Sequence, residues 1–157
     1  MKIKVLFICT GNICRSPAAE EIFRQKAREK KVDNLFHIDS AGTHNYHEGE
    51  LPNIKMRKHA EKRGYQLTSR SRPVQIEDFF EFDHIIAMDN FNYQNLRFKS
   101  PDVESLQKIS MMTDYCRNND IDHVPDPYYG GADGFELVLD ILEDACESLV
   151  ERLSDCS

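Results

Sequence analysis

The chain has 157 residues, of which 27 are acidic, 20 are basic, five are cysteine and none is tryptophan. This length fits one compact domain over residues 1–157, because typical domains hold roughly 100–200 residues. The net charge of −7 argues against a nucleic-acid partner, since affinity for a phosphate backbone depends on clustered lysines and arginines. No apolar run reaches the ~20 residues that span a bilayer, so we expect no membrane partner.

Five cysteines are an odd number and too few to staple a domain that can build its own core. They favour free thiols in a reducing compartment, and we expect a cytoplasmic protein. No cysteine or histidine pair has the spacing of a zinc finger, so the sequence predicts no metal site.

The predicted elements begin with a buried strand over residues 3–9, a nearly continuous run of β-branched and aromatic side chains. A turn follows, and Ser16 and Pro17 are typical of the N-cap and the first position of a helix. This helix is expected to run to the basic stretch 26–31, where cations suit the helix dipole.

A second strand is predicted over residues 36–40, and the Ala-Gly pair that follows is expected to end it. After a polar loop, Pro52 is expected to open a helix that carries Met56 and Ala60 inward. Gly64 is a suitable residue to end that helix.

Residues 84–88 predict a third buried strand, closed by Asp89, and residues 108–112 predict a fourth. From Gly134 onwards, apolar residues three or four apart predict an amphipathic C-terminal helix. They are Phe135, Val138, Leu142, Ala145, Leu149 and Leu153.

This order of elements predicts a three-layer α/β/α fold of the flavodoxin or Rossmann type, with a central four-stranded parallel sheet. Ligands of such sheets bind beyond the carboxyl ends of the strands. The turns after Cys9, Ser40 and Asp89 and the loop at Asp126 should therefore meet at one edge of the sheet.

The segment from Cys9 to Pro17 joins the first strand to the first helix and has the pattern C-x5-R followed by serine. Backbone N–H groups are unpaired at a helix N-terminus, and the helix dipole favours negative charge there. The spacing lets Arg15 return over a ring of amides and offer two phosphate oxygens a planar fork. Gly11 permits close backbone approach. The sequence therefore predicts a phosphate-binding loop after the first strand.

The same surroundings favour the thiolate form of Cys9 and make it a candidate nucleophile. Ser16 could donate a hydrogen bond to that sulfur, which would make it a better leaving group. The alternative is that Ser16 serves only as an ordinary N-cap.

Residues 9–17 resemble the active-site loop of the low molecular weight protein tyrosine phosphatase family, and the Asp-Pro-Tyr-Tyr segment 126–129 resembles its general-acid loop. Residues 39–42 and 88–89 also resemble this family, so the likeness covers essentially the whole chain. The resemblance implies hydrolysis of phosphotyrosine in proteins, or of small aryl phosphates, with inorganic phosphate as product and without metal or cofactor.

The resemblance also implies the roles of individual residues. Cys9 attacks phosphorus to form a cysteinyl-phosphate, while Asp126 protonates the leaving oxygen and later deprotonates the attacking water. Arg15 and the loop amides stabilise the equatorial oxygens of the transition state. The implied phosphate-binding residues are Thr10, Gly11, Asn12, Ile13, Cys14, Arg15 and Ser16.

Support for the loop is implied for Asn12, Ser16 and Ser40, and Asp89 is implied to orient Arg15, although a plain turn role would also suit Asp89. The walls of the substrate cleft are implied to comprise Ile13, Tyr46, Tyr128 and Tyr129. An ordinary exposed loop tyrosine is the alternative for Tyr46.

Cys14 matches a family residue that forms a reversible disulfide with the nucleophile, and its alternative role is packing. Two positions depart from the family pattern. Thr10 replaces the leucine usual in eukaryotic members, and Ser69 or Arg70 stands where some members have a histidine that supports Asn12.

Three other readings compete with a tyrosine phosphatase. Protein-arginine phosphatases have threonine in place of Ile13, whereas an apolar residue suits an aromatic ring. Thioredoxin-coupled arsenate reductases need further cysteines near the third strand, and residues 78–100 contain none. A non-catalytic phosphate-binding scaffold is opposed by the intact Cys9, Arg15 and Asp126.

A monomer or a weak homodimer is expected.

Overall fold

The computed structural model describes residues 1–127 and 131–155. Within them, four parallel strands form one sheet in the order β2-β1-β3-β4, which confirms the predicted architecture. The strands are β1 (Ile3–Cys9), β2 (Phe36–Gly42), β3 (His84–Ala87) and β4 (Ile109–Met111).

Among the described residues, six helices connect and follow the strands. They are α1 (Arg15–Glu29), α2 (Ile54–Glu61), α3 (Asp78–Glu81), α4 (Asn90–Lys99), α5 (Val103–Leu106) and α6 (Gly131–Asp155), with 3-10 turns at Asp33–Leu35 and Met112–Tyr115. In the part of the chain that the structure describes, no helix is both long and apolar enough to cross a membrane.

Strand β1 lies at the centre of the sheet, and its side chains alternate between two cores. Val5 and Phe7 pack in the core that includes α1 and α6, whereas Leu6 and Ile8 pack in the core on the other face with residues of α3 and α4. All four side chains are fully buried. The three layers therefore follow from a continuous apolar strand whose two faces are both covered.

Several predicted boundaries were wrong. Helix α1 begins at Arg15, so Ser16 lies inside it and makes no N-cap hydrogen bond. Helix α2 begins after Asn53, whose side chain accepts hydrogen bonds from the N–H groups of Lys55 and Met56, so Pro52 does not open it. The predicted inward side chains of α2 are indeed buried, and Gly64 has φ +90 just beyond its end.

The predicted element order missed α4 and the single-turn helices α3 and α5. Helix α4 is mostly polar, and Asn92 and Leu96 are its buried residues, so its sequence carries little helical periodicity. Three strands also differ in length from prediction: β2 runs two residues further, while β3 ends one residue earlier and β4 is shorter. Helix α6 begins at Gly131 rather than at Gly134.

Candidate active site

The loop between β1 and α1 is held from outside by its carbonyl oxygens. The oxygens of Cys9, Thr10, Gly11 and Ile13 accept hydrogen bonds from Thr43 N (2.9 Å), His44 N (3.1 Å), Ser71 Oγ (2.9 Å) and Asn53 N (2.7 Å), respectively. In a planar trans peptide the C=O and the following N–H point in opposite directions. The N–H groups of the next residues therefore face the space that the loop encloses, which creates an anion site.

Asn12 fixes the shape of this loop. Its backbone is left-handed, with φ 58, a conformation in which asparagine is enriched among non-glycine residues. Its Nδ2 donates to Ser16 Oγ (2.8 Å) and Ser40 Oγ (3.0 Å), while its Oδ1 accepts from Arg72 N (3.0 Å). The structure therefore brings together the three residues that the sequence grouped as loop support.

The hydrogen-bond chain through Asn12 has a defined direction that ends at Cys9. Glu20 Oε1 lies 2.6 Å from Ser40 Oγ, and a carboxylate can only accept, so Ser40 donates to Glu20 and accepts from Asn12. Ser16 likewise accepts from Asn12, which leaves its hydroxyl proton for Cys9 Sγ at 3.0 Å or for the carbonyl of Ala41 at 3.5 Å; the sulfur is the nearer of the two. The backbone N–H of Ser16 also points to this sulfur, at 3.5 Å.

Glu20 was not identified from the sequence. Its side chain is buried, and burial raises its pKa above the ordinary carboxyl value, although hydrogen bonds from Ser40 and Arg24 oppose the rise. Its spacing could have pointed to it, because Glu20 lies four residues, or one helical turn, after Ser16 and so on the same face of α1.

Arg15 is nearly fully buried, with 3% of its surface exposed. Its Nη1 donates to Asp89 Oδ2 (2.7 Å) and to the carbonyl of Val124 (2.9 Å). Burial opposes its charge, but Cys9 and Asp89 raise the pKa of Arg15 above its ordinary value. Within residues 1–127 and 131–155, Nη2 and Nε form no hydrogen bond, so this edge of the guanidinium can meet a phosphate.

A cavity of about 410 Å³ opens at this edge of the sheet. Its lining includes residues predicted from the sequence to act together, namely Cys9, Thr10, Gly11, Ile13, Cys14, Arg15, Tyr46 and Asp126. His47 and Asn53 also line it and were not predicted. Tyr46 is 73% exposed and still forms part of the wall, while Tyr128 and Tyr129 lie outside the described residues.

Cys14 lies in the same cavity as Cys9, and both are free thiols. Burial, followed by the charges of Cys9 and Asp126, raises the pKa of Cys14 to about 12. Cys14 therefore remains protonated at neutral pH.

Ser69 or Arg70 stands where some family members have a histidine that supports Asn12, and the structure shows which residues support the loop instead. Neither Ser69 nor Arg70 bonds to Asn12; the next two residues support the loop instead, through Ser71 Oγ to Gly11 O and Arg72 N to Asn12 Oδ1. Arg72 is itself held by Asp39 and Asp78, each at 3.0 Å. Among the residues that the structure describes, no group of His, Cys, Asp or Glu side chains is arranged to hold a metal ion.

A family model described as low molecular weight phosphotyrosine protein phosphatase matches residues 4–156. The chain belongs to this family. The match spans both the Cys9 loop and Asp126, and it confirms the phosphatase function and the enzyme class expected from the sequence.

Individual relatives match this chain over nearly the whole length of both proteins. A protein of Synechocystis sp. that carries a low molecular weight protein-tyrosine-phosphatase name is 46% identical over 151 residues, 96% of each chain. The crystal structure of a protein tyrosine phosphatase from Entamoeba histolytica is 48% identical with a TM-score of 0.96, covering 99% of both chains. That of YfkJ from Bacillus subtilis is 36% identical with a TM-score of 0.93, covering 100% of this chain and 98% of its own.

Proposed function

We propose that this phosphatase hydrolyses phosphotyrosine in proteins, and small aryl phosphates, with Cys9 as nucleophile, Arg15 as phosphate-binding residue and Asp126 as general acid and base. The observation that carries the proposal is the 3.0 Å hydrogen bond between the Ser16 hydroxyl and Cys9 Sγ, with Cys9 lining the same cavity as Arg15 and Asp126. A purely structural cysteine needs no such donor.

In the first step the Cys9 thiolate attacks phosphorus, so an S–P bond forms as the P–O bond to the aryl group breaks. Asp126 gives its proton to the leaving oxygen. The inward-facing amides of the loop and the open edge of Arg15 stabilise the charge on the equatorial oxygens.

In the second step water attacks the cysteinyl-phosphate, and the Asp126 carboxylate accepts a proton from that water. The S–P bond breaks, phosphate leaves, and the electron pair returns to the Cys9 sulfur. The hydroxyl of Ser16 stabilises the thiolate as it re-forms, because a hydrogen bond to a charged acceptor is stronger than one to a neutral acceptor.

The shape of the cavity favours phosphotyrosine over phosphoarginine. Ile13 of the loop and Tyr46 both line the cavity and offer apolar and aromatic contact to a phenyl ring. A phosphoguanidine would gain more from a hydroxyl at position 13. Phosphoarginine therefore remains the second candidate substrate, and a non-catalytic phosphate-binding scaffold is the alternative outside catalysis.

We further propose that residues 1–157 act as one catalytic domain, as a monomer or weak homodimer, in the cytoplasm. Four cysteines among the described residues are free, which fits a reducing compartment.

The test is hydrolysis of p-nitrophenyl phosphate in the presence of EDTA by the wild type and by Cys9→Ser, Asp126→Ala and Cys116→Ser. Cys9→Ser should lose activity by on the order of 10³-fold or more. Asp126→Ala should lower kcat by roughly 10²-fold and leave the Kd for inorganic phosphate within about threefold. Cys116→Ser is the matched control and should retain wild-type activity.

Full activity of Cys9→Ser would refute the nucleophile, and an inactive wild type would favour the scaffold. Phosphotyrosine and phosphoarginine peptides of the same sequence complete the experiment. Faster hydrolysis of the phosphoarginine peptide would replace the proposed substrate by the second candidate.

A further inference from the structure

Three aromatic rings form a column on the rim of the active-site cavity. The ring of His44 stacks on Tyr46 with centroids 5.0 Å apart and planes at 17°, and on Phe91 with centroids 5.9 Å apart and planes at 12°. The outer members are largely exposed, Tyr46 at 73% and Phe91 at 59%. Large apolar side chains exposed together beside a cavity are typical of a binding surface.

Thr10 of the phosphate-binding loop anchors this column at two points. Its carbonyl accepts from the N–H of His44 at 3.1 Å, and its hydroxyl accepts from Asn92 Nδ2 at 3.0 Å. Asn92 is fully buried and directly follows Phe91 in α4. The backbone of His44 and the helix that carries Phe91 are therefore both hydrogen-bonded to the residue that follows Cys9.

The loop that carries His44 is also tied to the far end of α4. Lys99 Nζ donates to the carbonyl of Thr43 at 2.8 Å, and the Thr43 hydroxyl bonds the Nδ1 of His44 at 2.9 Å. The column is thus built across two elements that are braced against each other, which limits the entropy that a ligand would have to remove on binding.

The column continues the substrate cavity, because Tyr46 lines that cavity together with Cys9. An extended peptide advances ~3.3–3.6 Å per residue, so Phe91 lies up to about three residues away from Tyr46 along a bound chain. A phosphotyrosine in the cavity would place its neighbours along this rim. The Phe91 side chain has no polar atom, and more than half of it is exposed, so an apolar side chain would gain most from covering it.

We propose that the column of Tyr46, His44 and Phe91 is a subsite for an apolar side chain of the substrate, within three residues of the phosphotyrosine. This inference rests on the proposed function, since it needs phosphotyrosine to occupy the cavity. The subsite makes the enzyme selective among phosphotyrosine proteins without taking part in the chemistry.

The experiment compares kcat/KM for peptides that carry leucine or serine at each position within three residues of the phosphotyrosine. Wild type should prefer leucine by about tenfold at one or more positions, the effect of one well-buried apolar contact. Phe91→Ala should reduce this ratio to about one. Phe98→Ala is the matched control: Phe98 lies on the same helix, is 90% exposed and is outside the column, so this variant should keep the preference.

Two variants of His44 test the stacking itself. His44→Ala should lose the preference as Phe91→Ala does, whereas His44→Phe should keep it, because a phenyl ring preserves the stack. Hydrolysis of p-nitrophenyl phosphate, measured in parallel, tests the catalytic site without the subsite, because this compound has no neighbouring side chains. A wild type that hydrolyses this compound but does not discriminate between the peptides would overturn the subsite and leave the proposed function intact.

Equal loss of preference in Phe98→Ala would also overturn the proposal. Sedimentation of the wild type and of Phe91→Ala tests whether a second copy of the chain, rather than a substrate, binds the aromatic column. A wild-type dimer that Phe91→Ala dissociates would assign the surface to self-association and overturn its role as a subsite.

Discussion

Asp89 uses its two carboxylate oxygens for two different tasks, and Arg15 is the partner in one of them. Oδ2 lies 2.7 Å from Arg15 Nη1, whereas Oδ1 accepts from the N–H of Asn92 at 2.8 Å and caps α4. The Arg15 guanidinium and the start of a helix on the other face of the sheet thus share one partner, the carboxylate of Asp89.

Two substitutions of Asp89 should separate these tasks. Asn and Asp cap helices about equally well, so Asp89→Asn should keep the cap of α4. It should still weaken phosphate binding about tenfold and lower the free energy of unfolding, because the buried Arg15 loses a compensating charge. Asp89→Ala should weaken binding similarly and lower stability by a further ~1 kcal/mol. Phosphate titration and urea unfolding measure the two effects. If Asp89→Asn binds phosphate as the wild type does, the carboxylate does not orient Arg15.

Ser16→Ala should slow the second chemical step more than the first. The hydroxyl 3.0 Å from Cys9 Sγ stabilises the leaving thiolate, and a hydrogen bond to a charged group is worth ~1.5–3 kcal/mol, roughly 10–100-fold in rate. Rapid-quench experiments with an aryl phosphate should therefore show an accumulated cysteinyl-phosphate. Ser40→Ala, two hydrogen bonds further from the sulfur, should cause a smaller loss. Equal losses would contradict a direct role of Ser16.

Glu20→Gln should change the pH dependence of stability. Because burial raises the pKa of Glu20 above its ordinary 4.5, the folded state keeps this proton to higher pH than the unfolded state does. Its contribution is therefore present at low pH and is lost as pH rises from 4.5 through the raised value. Urea unfolding between pH 4 and 8 should show this loss in the wild type and a flatter profile in Glu20→Gln. Glu104→Gln serves as the control: Glu104 is exposed, so this variant should show the same pH dependence of unfolding as the wild type.

Alkylation should distinguish the thiols. With a pKa of about 12 for Cys14 and about 11 for Cys116, both raised mainly by burial, neither forms much thiolate at pH 8. Iodoacetamide at that pH should modify Cys9 first, and added phosphate should protect it. Peptide mass spectrometry locates the label, and early modification of Cys14 in the folded enzyme would contradict the assignment.

The phosphate-binding loop could be predicted because its determinants are local. A continuous apolar run specified β1, and C-x5-R at its end placed a cysteine and an arginine beside one helix N-terminus. The convergence of Ser40, Asp89 and Asp126 on that loop followed from parallel strand order alone.

What could not be predicted depends on hydrogen bonds and packing contacts that only the folded chain makes. The sequence predicted for Ser16 either a hydrogen bond to Cys9 or an N-cap; in the folded chain Asn12 and Cys9 contact its hydroxyl, and it does not cap α1. Asn53 caps α2 because its backbone N–H is already fixed to Ile13. The polar α4 forms because Asp89 caps it and Leu96 packs into the core, neither of which gives an apolar periodicity.

The carbonyl anchors around the loop set a condition for protein engineering. The nine residues from Cys9 to Pro17 contain the reactive groups, but their donors belong to the chain at Thr43, His44, Asn53 and Ser71. A scaffold that received the nine residues alone would leave those carbonyls free to rotate towards the anion and repel it. The transplantable unit is therefore the loop together with its two bracing segments, roughly 43–53 and 71–72.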